Sequence, residues 1–428
     1  MVRVLAHTIL SPGHTYPFLS VLLELQRRGF AVTLCANTPG DTAPEQIAGV
    51  PVRAARWQGL DLVPTNHGIR AAERVWLDNL ARAGEPLAAL LDQLLMQERP
   101  DFLLIDPLLW GAMVAAEASG LPWASLSHNP LSIRGLGLDV RGPGLRPARG
   151  PMGRLWHRVV DVGMRLCLSR SVEMVNSFRI KRGLGALADF RDRYLAPPLI
   201  IAATAEPFEY PRSDWPSTLV FVGPLLWEPD ADKPGWLDEL DARPLLLLAG
   251  STVADHRERT WVSRVFQALA DEPVQVVATL PTDEVPHKVP DNFFITTFVP
   301  HRYLLPRARC VICHGGYGIT AKALAAGVPV VAIPLAGDRF EVARRVEVAG
   351  AGVMLLGRQL ARERVKAAVR SAIACKAGAE RIANAFRRAG GPVAAADAIE
   401  HMLGGVSLPF RAKFGSGLNA ADIDRAKL

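Results

Sequence analysis

The sequence has few cysteines and no long apolar run. Its five cysteines are an odd number in 428 residues and form no disulfide framework, which favours a reducing compartment. No stretch reaches the roughly 18 consecutive apolar residues of a membrane span. Met1–His7 already follows a strand pattern, so we expect no secretion signal. We therefore expect a cytoplasmic protein without a transmembrane segment.

Metal ligands in a recognisable spacing are also lacking. No carboxylate pair with metal-ligand spacing stands out in the chain. Cys310 and Cys313 lie three apart on a predicted strand, so their side chains would point to opposite faces of a sheet. No second cysteine pair accompanies them, which disfavours a zinc or redox site. We predict that the protein needs neither a metal ion nor a cofactor.

The net charge of +7 comes from basic residues spread along the chain, so we do not expect a nucleic-acid partner. The richest basic stretch, from Arg134 to Arg158, alternates arginine with glycine, proline, leucine and Trp156. Such a stretch could touch anionic lipid. We interpret it as a solvated loop, because no amphipathic period indicates a membrane helix. The other arginines of this stretch are Arg141, Arg146, Arg149 and Arg154.

Strand-like runs alternate with helix-like runs, which predicts parallel sheets covered by helices and hence an α/β fold. Hydrophobic residues make up 49% of the chain, enough for two cores. The predicted strands of the first half are Val2 to Leu10, Ala31 to Asn37, Asp101 to Asp106, Trp123 to Ser127 and Leu199 to Thr204. Those of the second half are Leu245 to Ala249, Val274 to Thr279, Phe293 to Phe298, Cys310 to Cys313 and Val328 to Ile333.

A polar stretch from Glu228 to Gly235 separates the two strand series and indicates a domain boundary. A helix-like run, Pro392 to Met402, follows the second series. We assign no role to residues 406–428. The predicted divisions are an N-terminal domain at 1–223, a linker at 224–243, a second domain at 244–390, and a C-terminal helix and tail at 391–428.

The most informative segment runs from Ile312 to Gly352. An apolar run ending at Cys313 predicts a strand, and residues from Ile319 onward resume helical spacing. Free N–H groups at the start of such a helix form an anion site. His314 and Thr320 can add side-chain donors, so the predicted ligand is a diphosphate. The glycines that allow the tight turn between strand and helix are Gly315, Gly316 and Gly318.

This segment resembles the donor-sugar signature of inverting, nucleotide-sugar-dependent glycosyltransferases that modify natural products, lipids and xenobiotics. The matched spacing is His314-Gly315-Gly316-x-Gly318-x-Thr320, Ala323-Leu324-x-x-Gly327-Val328-Pro329, Pro334-x-x-x-Asp338 and Ala343-x-Arg345-Val346-x-x-x-Gly350-x-Gly352. Further matches are Gly13-His14, Asp106, Gly223-Pro224, Gly250-Ser251-Thr252 and Phe298-Val299-Pro300-His301. The resemblance implies a GT-B fold, in which two Rossmann-like domains face a central cleft. The first domain would hold the acceptor and the second the nucleotide sugar, and the C-terminal helix would cross back to the first domain.

The resemblance also implies catalytic roles for two residues. Transfer at an anomeric carbon requires removal of the acceptor proton and stabilisation of the diphosphate leaving group. His14 would act as general base, because a neutral imidazole can accept a proton. Asp106 would orient the His14 ring and stabilise its protonated form. The alternatives are a structural hydrogen bond for His14 and a turn or helix cap for Asp106, which precedes Pro107.

Donor contacts follow from the same resemblance. Phe298 and Val299 would bind the base, with core packing as the alternative for Phe298. Asp338 would contact sugar hydroxyls, or it would cap the following helix. The phosphates would be surrounded by Ser251, Thr252, His314, Gly315, Gly316, Gly318 and Thr320, with helix capping as the alternative for Ser251 and Thr252. Gly13 would also contact the donor.

Two positions depart from the family pattern. Lys322 stands where the family usually has a glutamate that accepts from the ribose hydroxyls, and an ammonium group cannot accept. This favours a deoxythymidine diphosphate (dTDP) sugar over a uridine diphosphate (UDP) sugar. Arg339 stands where the family usually has glutamine, and it could face a phosphate, an anionic sugar or solvent. The transferred hexose or deoxyhexose therefore stays open.

Apolar residues of the first half suggest a hydrophobic acceptor pocket. The candidates are Trp57, Trp76, Leu108, Trp110 and Trp156. A natural product, a polyketide or other aromatic compound, or a lipid would fit, with oxygen or carbon as the attacked atom. The protein could be a monomer or a homodimer. The alternatives to a transferase are a nucleotide-sugar epimerase, which needs no separate acceptor, and a catalytically silent protein that binds nucleotide sugar and activates another enzyme.

Overall fold

Two parallel sheets, both covered by helices, follow each other along the chain. The computed structural model describes residues 1–38, 44–56, 69–131, 133, 144–148, 150–251, 256–281, 288–335 and 337–404. Within these ranges, none of the helices combines the length and apolar content needed to cross a bilayer. The predicted α/β class is confirmed.

The first sheet has eight strands, β1 (Arg3–Ile9), β2 (Ala31–Thr38), β3 (Gln46–Ile47), β4 (Val50–Arg56), β5 (Phe102–Ile105), β6 (Trp123–Ser127), β7 (Leu199–Ala202) and β8 (Leu219–Phe221). They lie in the order β3-β4-β2-β1-β5-β6-β7-β8, and only the pair β3 and β4 is antiparallel. The helices of this half are α1 (Pro12–Arg27), α2 (Ile69–Glu98), α3 (Trp110–Ser119) and α4 (Gly150–Lys181).

The second sheet has six strands, β9 (Leu245–Ala249), β10 (Gln275–Thr279), β11 (Phe293–Thr296), β12 (Ala308–Cys313), β13 (Val330–Ala332) and β14 (Gly352–Met354). All its neighbouring pairs are parallel, in the order β11-β10-β9-β12-β13-β14. The remaining helices are α5 (His256–Leu269), α6 (Tyr317–Ala325), α7 (Arg339–Val348), α8 (Arg362–Ala374), α9 (Lys376–Arg388) and α10 (Gly391–Leu403). The strand order is that of the doubly wound dinucleotide-binding fold, with its switch point between β9 and β12.

All ten predicted strands are present, and the sequence missed four others. Three of these, β3, β8 and β14, are only two or three residues long, too short for a visible hydrophobic period. The fourth, β4, includes Pro51 and two arginines, Arg53 and Arg56, which interrupt its apolar pattern. Short strands of this kind are stabilised by their neighbours in the sheet more than by their own composition.

Each sheet is buried on both faces, because consecutive strand residues point to opposite sides. In β5, Leu104 packs in the core that contains Phe18 of α1, whereas Leu103 packs in the core that contains Leu91 of α2. The same alternation separates Cys310 and Cys313, which lie in cores on opposite faces of the second sheet. The two cysteines therefore cannot share a ligand, as the sequence predicts.

Helix α10 packs against the first sheet, although it follows the second sheet in the chain. Ala395 and Ile399 belong to the same core as Phe18 of α1. Arg28, just after α1, donates to Asp397 Oδ1 at 2.7 Å and to Glu400 Oε2 at 2.6 Å. The chain thus returns to its first half after completing the second.

Buried polar contacts join the two halves. Arg345 of α7 donates to Glu209 Oε2 at 3.0 Å and to Glu341 Oε2 at 2.9 Å, and all three side chains are buried. The hydroxyl of Tyr317, the first residue of α6, donates to the carbonyl oxygen of Ala203 at 2.6 Å. Because buried charge pairs are costly to separate, these contacts fix α6 and α7 relative to the first sheet.

Candidate functional site

A histidine and an aspartate lie together at the switch point of the first sheet, just after the ends of β1 and β5. His14 lies in the first turn of α1, and Asp106 directly follows β5. His14 Nδ1 is 2.8 Å from Asp106 Oδ2. The structure therefore brings together two residues that are 92 positions apart in the chain, at the edge of the sheet where ligands of this fold class bind.

Asp106 is completely buried and saturated with donors. Thr8 Oγ1 donates to Oδ2 at 2.8 Å, and the N–H of Leu108 donates to Oδ1 at 2.9 Å. Burial alone would raise the pKa of Asp106, but the charges of nearby His14 and His128 and the hydrogen bonds from His14 and Leu108 hold it well below its usual range. A carboxylate can only accept, so Nδ1 of His14 carries the proton and Nε2 remains as the acceptor. The Leu108 contact shows that Asp106 also stabilises its local turn.

His128 is a third member of this cluster, and the sequence analysis missed it. It is buried and directly follows β6, and its ring lies 4.2 Å from the His14 ring, centroid to centroid, in an edge-to-face arrangement. The signal was present in the sequence, since His128 directly follows the predicted strand Trp123 to Ser127, which lies two places in the sheet from the strand that His14 follows. Carboxyl ends of parallel strands meet at one edge of a sheet.

A small, partly open cleft lies beside His128. Its walls include Leu108, His128, Asn129, Ile133 and Tyr194. Of the predicted acceptor residues, the structure thus brings Leu108 to the cleft.

Trp110 is only 1% exposed and packs against Phe178. Because α2 and α4 enclose it, Trp110 lies outside the cleft. Only the backbone of Trp76 is described, in α2, and Trp57 lies outside the described residues. Trp156 lies on the exposed face of α4.

The cluster of His14, Asp106 and His128 is the one group of three potential metal ligands found among the described residues, with ligand atoms within 4.8 Å of one another. Two ligand atoms each about 2.1 Å from a tetrahedral ion lie roughly 3.4 Å apart. His14 Nδ1 and Asp106 Oδ2 are closer than this, at 2.8 Å, and share a hydrogen bond. The arrangement fits a proton-transfer pair better than a metal site.

The switch point of the second sheet carries the glycine-rich turn. His314 follows β12, Gly315 has a φ of +82°, and Gly316 precedes α6 without a side-chain cap. A Cβ on Gly316 would lie 2.3 Å from His314 Nε2, so only glycine allows the ring to lie across this turn. The first N–H groups of α6 lack a capping side chain from Gly316, which matches the geometry of an anion site.

Arg339 extends the same turn from the start of α7. Its Nη2 donates to Ser251 Oγ at 3.3 Å, and its carbonyl oxygen lies 3.1 Å from the position of a Cβ on Gly315. Ser251, His314 and Arg339 thus adjoin the glycine turn, and we call these three residues with Gly315 and Gly316 the cradle. A guanidinium in this position adds positive charge for an anion.

The structure does not show the hydroxyl group of either predicted donor, Thr320 or Thr252, in the cradle. Thr320 is completely buried and its hydroxyl faces Cys313 Sγ at 3.7 Å, because the residue lies on the inner side of α6. Its N–H donates to the Gly316 carbonyl inside the helix. Thr252 lies outside the described residues. At Gly13 and Gly318 a Cβ would meet nothing within 4 Å, so space is open beside both glycines.

The predicted base-binding turn follows β11. Phe298 is 51% exposed, so its ring does not pack in the core. Val299, by contrast, is buried in a hydrophobic core of the second half. Thr296 brackets the turn, donating to the Phe298 carbonyl at 2.9 Å. Asp338 stands directly before α7 but makes no capping hydrogen bond, which removes the alternative role considered for it.

Lys322 has a carboxylate partner that the sequence did not reveal. Its Nζ donates to Glu228 Oε1 at 2.7 Å. The backbone N–H groups of His301 and Arg302 also donate to Glu228, each at 3.2 Å. Burial would raise the pKa of Glu228, but Lys322 and these donors lower it. Glu228 comes from the segment between the two sheets, so no spacing rule links it to α6.

Comparisons with known proteins agree with this geometry. Residues 263–402 match the family described as "Erythromycin biosynthesis protein CIII-like, C-terminal domain". The chain is 30% identical over 395 residues to 4'-demethylrebeccamycin synthase of Lentzea aerocolonigenes, covering 87% of this chain and 91% of that protein. It is also 30% identical over 305 residues to a PGL/p-HBAD biosynthesis glycosyltransferase of Mycobacterium tuberculosis, covering 69% and 68%.

Solved structures show the same fold. The glycotransferase of kitacinnamycin superposes with a TM-score of 0.72 at 20% identity, covering 94% of this chain and 98% of that one. The spinosyn rhamnosyltransferase superposes with a TM-score of 0.70 at 20% identity, covering 94% and 100%. Given the two sheets, their paired switch points and these relatives, the chain belongs to the bacterial natural-product glycosyltransferases and has their GT-B fold.

Proposed function

We propose that this glycosyltransferase inverts the anomeric centre as it moves a hexose or deoxyhexose from a nucleotide diphosphate sugar to a hydrophobic small molecule. His14 acts as general base, and no metal ion takes part. The observation that carries the proposal is the 2.8 Å contact between His14 Nδ1 and the buried carboxylate of Asp106. It leaves Nε2 of His14 able to take a proton from an acceptor hydroxyl.

The reaction is a single displacement. As the acceptor oxygen attacks the anomeric carbon, Nε2 of His14 removes its proton and the bond from that carbon to the diphosphate breaks. Asp106 stabilises the imidazolium that forms, in the manner of a hydrolase triad. Attack on the face opposite the leaving group inverts the anomeric configuration.

The cradle stabilises the diphosphate. The start of α6 contributes the positive end of a helix dipole, worth up to about 2 kcal/mol in favourable sites. Arg339 and His314 add side-chain donors next to it. A site built from several such groups can neutralise the leaving group, which is the task that a metal ion performs in other enzymes.

Two observations support dTDP over UDP as the nucleotide. Lys322 cannot accept from a ribose 2′-OH, and Glu228, which could, already accepts from Lys322 Nζ and two backbone N–H groups. Among similar structures, the glycosyltransferase VinC was solved in complex with dTDP and a spinosyn rhamnosyltransferase with thymidine diphosphate. Phe298 offers an exposed ring on which a pyrimidine can stack.

The acceptor site is the cleft beside His128. Leu108, Leu131 and Ile133 give it apolar walls, and Asn129 and Tyr194 add polar groups. A cleft beside His128, whose ring packs against the proposed base His14, supports a transferase over an epimerase, which needs no second substrate. A spinosyn rhamnosyltransferase of the same fold was solved with spinosyn aglycone, which supports a small-molecule acceptor for this chain as well.

The test is calorimetric titration of the protein, without added metal and with chelator present, with dTDP and with UDP. We expect dTDP to bind more tightly, and we expect His314→Ala to weaken binding by about tenfold or more, the loss of a charge-assisted hydrogen bond. His401→Ala is the matched control, because His401 lies on α10 against the first half. Equal binding of both nucleotides would refute the dTDP preference, and absence of binding would refute the donor site.

A further inference from the structure

Among the described residues, helix α4 is covered on one face, while its opposite face carries exposed apolar side chains. Its inner face is buried at His157, Asp161, Leu168, Ser171 and Val175. On the opposite face lie six apolar residues that are between 55% and 80% exposed, spaced i, i+3, i+4, i+7, i+10 and i+14. We call them the α4 stripe: Met152, Leu155, Trp156, Val159, Val162 and Leu166.

The α4 stripe corrects the sequence analysis. Residues 150–158 were interpreted as part of a solvated loop without amphipathic period, but they form the first turns of α4. Helix α4 carries apolar residues on both its buried and its exposed side, so no single amphipathic period stands out in the sequence. Arg134, Arg141 and Arg149 lie outside the described residues.

The size of the stripe requires an explanation. At a rise of 1.5 Å per residue, it runs for roughly 21 Å along the helix. Contiguous apolar surface of this extent on a protein surface marks an interaction site. Trp156, at 59% exposure, is the residue type enriched where apolar lipid meets water.

Charge identifies the occupant. Arg154, Arg158 and Arg165 are exposed along one edge of the stripe. The only carboxylate of α4 before Glu173 is Asp161, which is buried and pairs with Arg191 at 2.6 Å and Arg165 at 3.1 Å. An apolar stripe bordered by exposed arginines suits an anionic lipid surface.

A second copy of the chain fits this surface poorly. Two-fold symmetry would place the arginine edge of one stripe against a surface of the same composition, and α4 offers no exposed carboxylate before Glu173, which lies beyond the stripe, to compensate it. Like charges brought together in an interface weaken it. We therefore propose that the α4 stripe docks the protein on the surface of an anionic bilayer, with α4 lying parallel to the membrane.

The docked face is linked to the acceptor cleft. Arg191 pairs with Asp161 of α4, and Tyr194, three residues later in the same short 3₁₀ turn, lines the cleft. Docking would hold the cleft close to acceptors dissolved in the lipid. This last point rests on the proposed function, whereas membrane docking itself does not.

The test is cosedimentation with vesicles of phosphatidylcholine containing phosphatidylglycerol, compared with vesicles of phosphatidylcholine alone, without nucleotide. We expect binding to the anionic vesicles that falls as salt is raised. Replacing Leu155 and Trp156 together by serine should lower the partition coefficient about tenfold or more, since both lose apolar burial. Replacing Arg154 and Arg158 together by glutamine should lower it at least about fivefold.

The matched control replaces two other exposed valines, Val289 and Val393, which are 43% and 49% exposed. Their double serine variant should bind vesicles like the unmodified protein. Thermal unfolding verifies that each variant is folded. Titration with dTDP shows separately whether its donor site is intact.

The proposal is overturned if the protein does not bind anionic vesicles at low salt, or if the Leu155 and Trp156 variant binds them unchanged. A dimer in sedimentation velocity that this variant dissociates would instead assign the stripe to a second copy. Stripe-dependent capture of an acidic protein, without vesicle binding, would assign it to a protein partner.

Discussion

The two halves of the molecule share the order of their central parallel strands, but their sites consist of different chemical groups. In the first half, the site consists of side chains, with His14 held by a buried carboxylate and His128 packed against it. In the second half, the cradle combines backbone at the start of α6 with the side chains of Ser251, His314 and Arg339, and Gly316 leaves room for the His314 ring. Both sites lie at the switch point of their sheet.

The difference follows from the chemistry that each site is proposed to perform. A proton can be removed only by a group that changes its charge, so the first half needs a titratable side chain with a fixed orientation. A diphosphate needs only stationary donors and positive potential, which a helix start supplies without titrating. Loss of the titratable side chain should therefore damage the first site most, whereas the second site should be weakened both by loss of a donor such as His314 and by gain of a side chain at Gly316.

The largest expected effect is loss of the base. His14→Gln should lower kcat by about 10²- to 10⁴-fold, because glutamine cannot take the acceptor proton. Donor affinity, measured by calorimetry, should stay within about twofold, since His14 is proposed to act on the acceptor. Asp106→Asn should lower kcat by a similar order, because the amide no longer fixes the His14 tautomer. Unchanged kcat in His14→Gln would remove the proposed mechanism.

A smaller effect is expected from an added methyl group in the cradle. Gly316→Ala places a Cβ 2.3 Å from His314 Nε2, so the ring must move. Affinity for dTDP should fall by about tenfold to a hundredfold, the loss of one or two charge-assisted hydrogen bonds. Gly163→Ala is the control, since this helical glycine on α4 has nothing within 4 Å of its Cβ position. Equal affinities of the two variants would contradict the cradle geometry.

Much of this arrangement was predictable because it is local in the sequence. The strand, glycine turn and helix around Gly316 follow from residue type and spacing over a dozen positions. Pairing of His14 with Asp106 needed one further rule, that the ends of parallel strands meet at one edge. His128 satisfies the same rule, and it was missed because no family motif marked it.

The remaining contacts were not predictable, since they join segments that no period or motif connects. Glu228 reaches Lys322 across 94 positions, and Arg345 reaches Glu209 across 136. The inward hydroxyl of Thr320 depends on which side of α6 packs on the sheet. Short strands such as β14 exist only because a neighbouring strand pairs with them.

The smallest expected effect is a loss of stability at acidic pH, which tests whether the two halves respond alike. Burial lowers the pKa of His7 from its ordinary 6.5 to about 4, against the opposing hydrogen bond to Asn37. Burial and the Lys322 charge lower the pKa of His301 to about 4, against the opposing charge of Glu228. Below pH 6.5 the unfolded chain binds protons at both residues before the folded protein does, so the free energy of unfolding falls as pH falls.

Each histidine should remove about 1 kcal/mol of stability between about pH 7 and pH 5.5, above the range in which most carboxylates titrate. Denaturant unfolding across this range measures the slope. His301→Gln should reduce the slope by about half, because His7 in the first half still contributes. If the two halves unfold separately, this variant should change only the unfolding transition of the second half. A single shared transition would show that the Arg345 and Tyr317 contacts make the two halves one cooperative unit. A pH-independent free energy of unfolding would contradict the neutral, buried state of both rings.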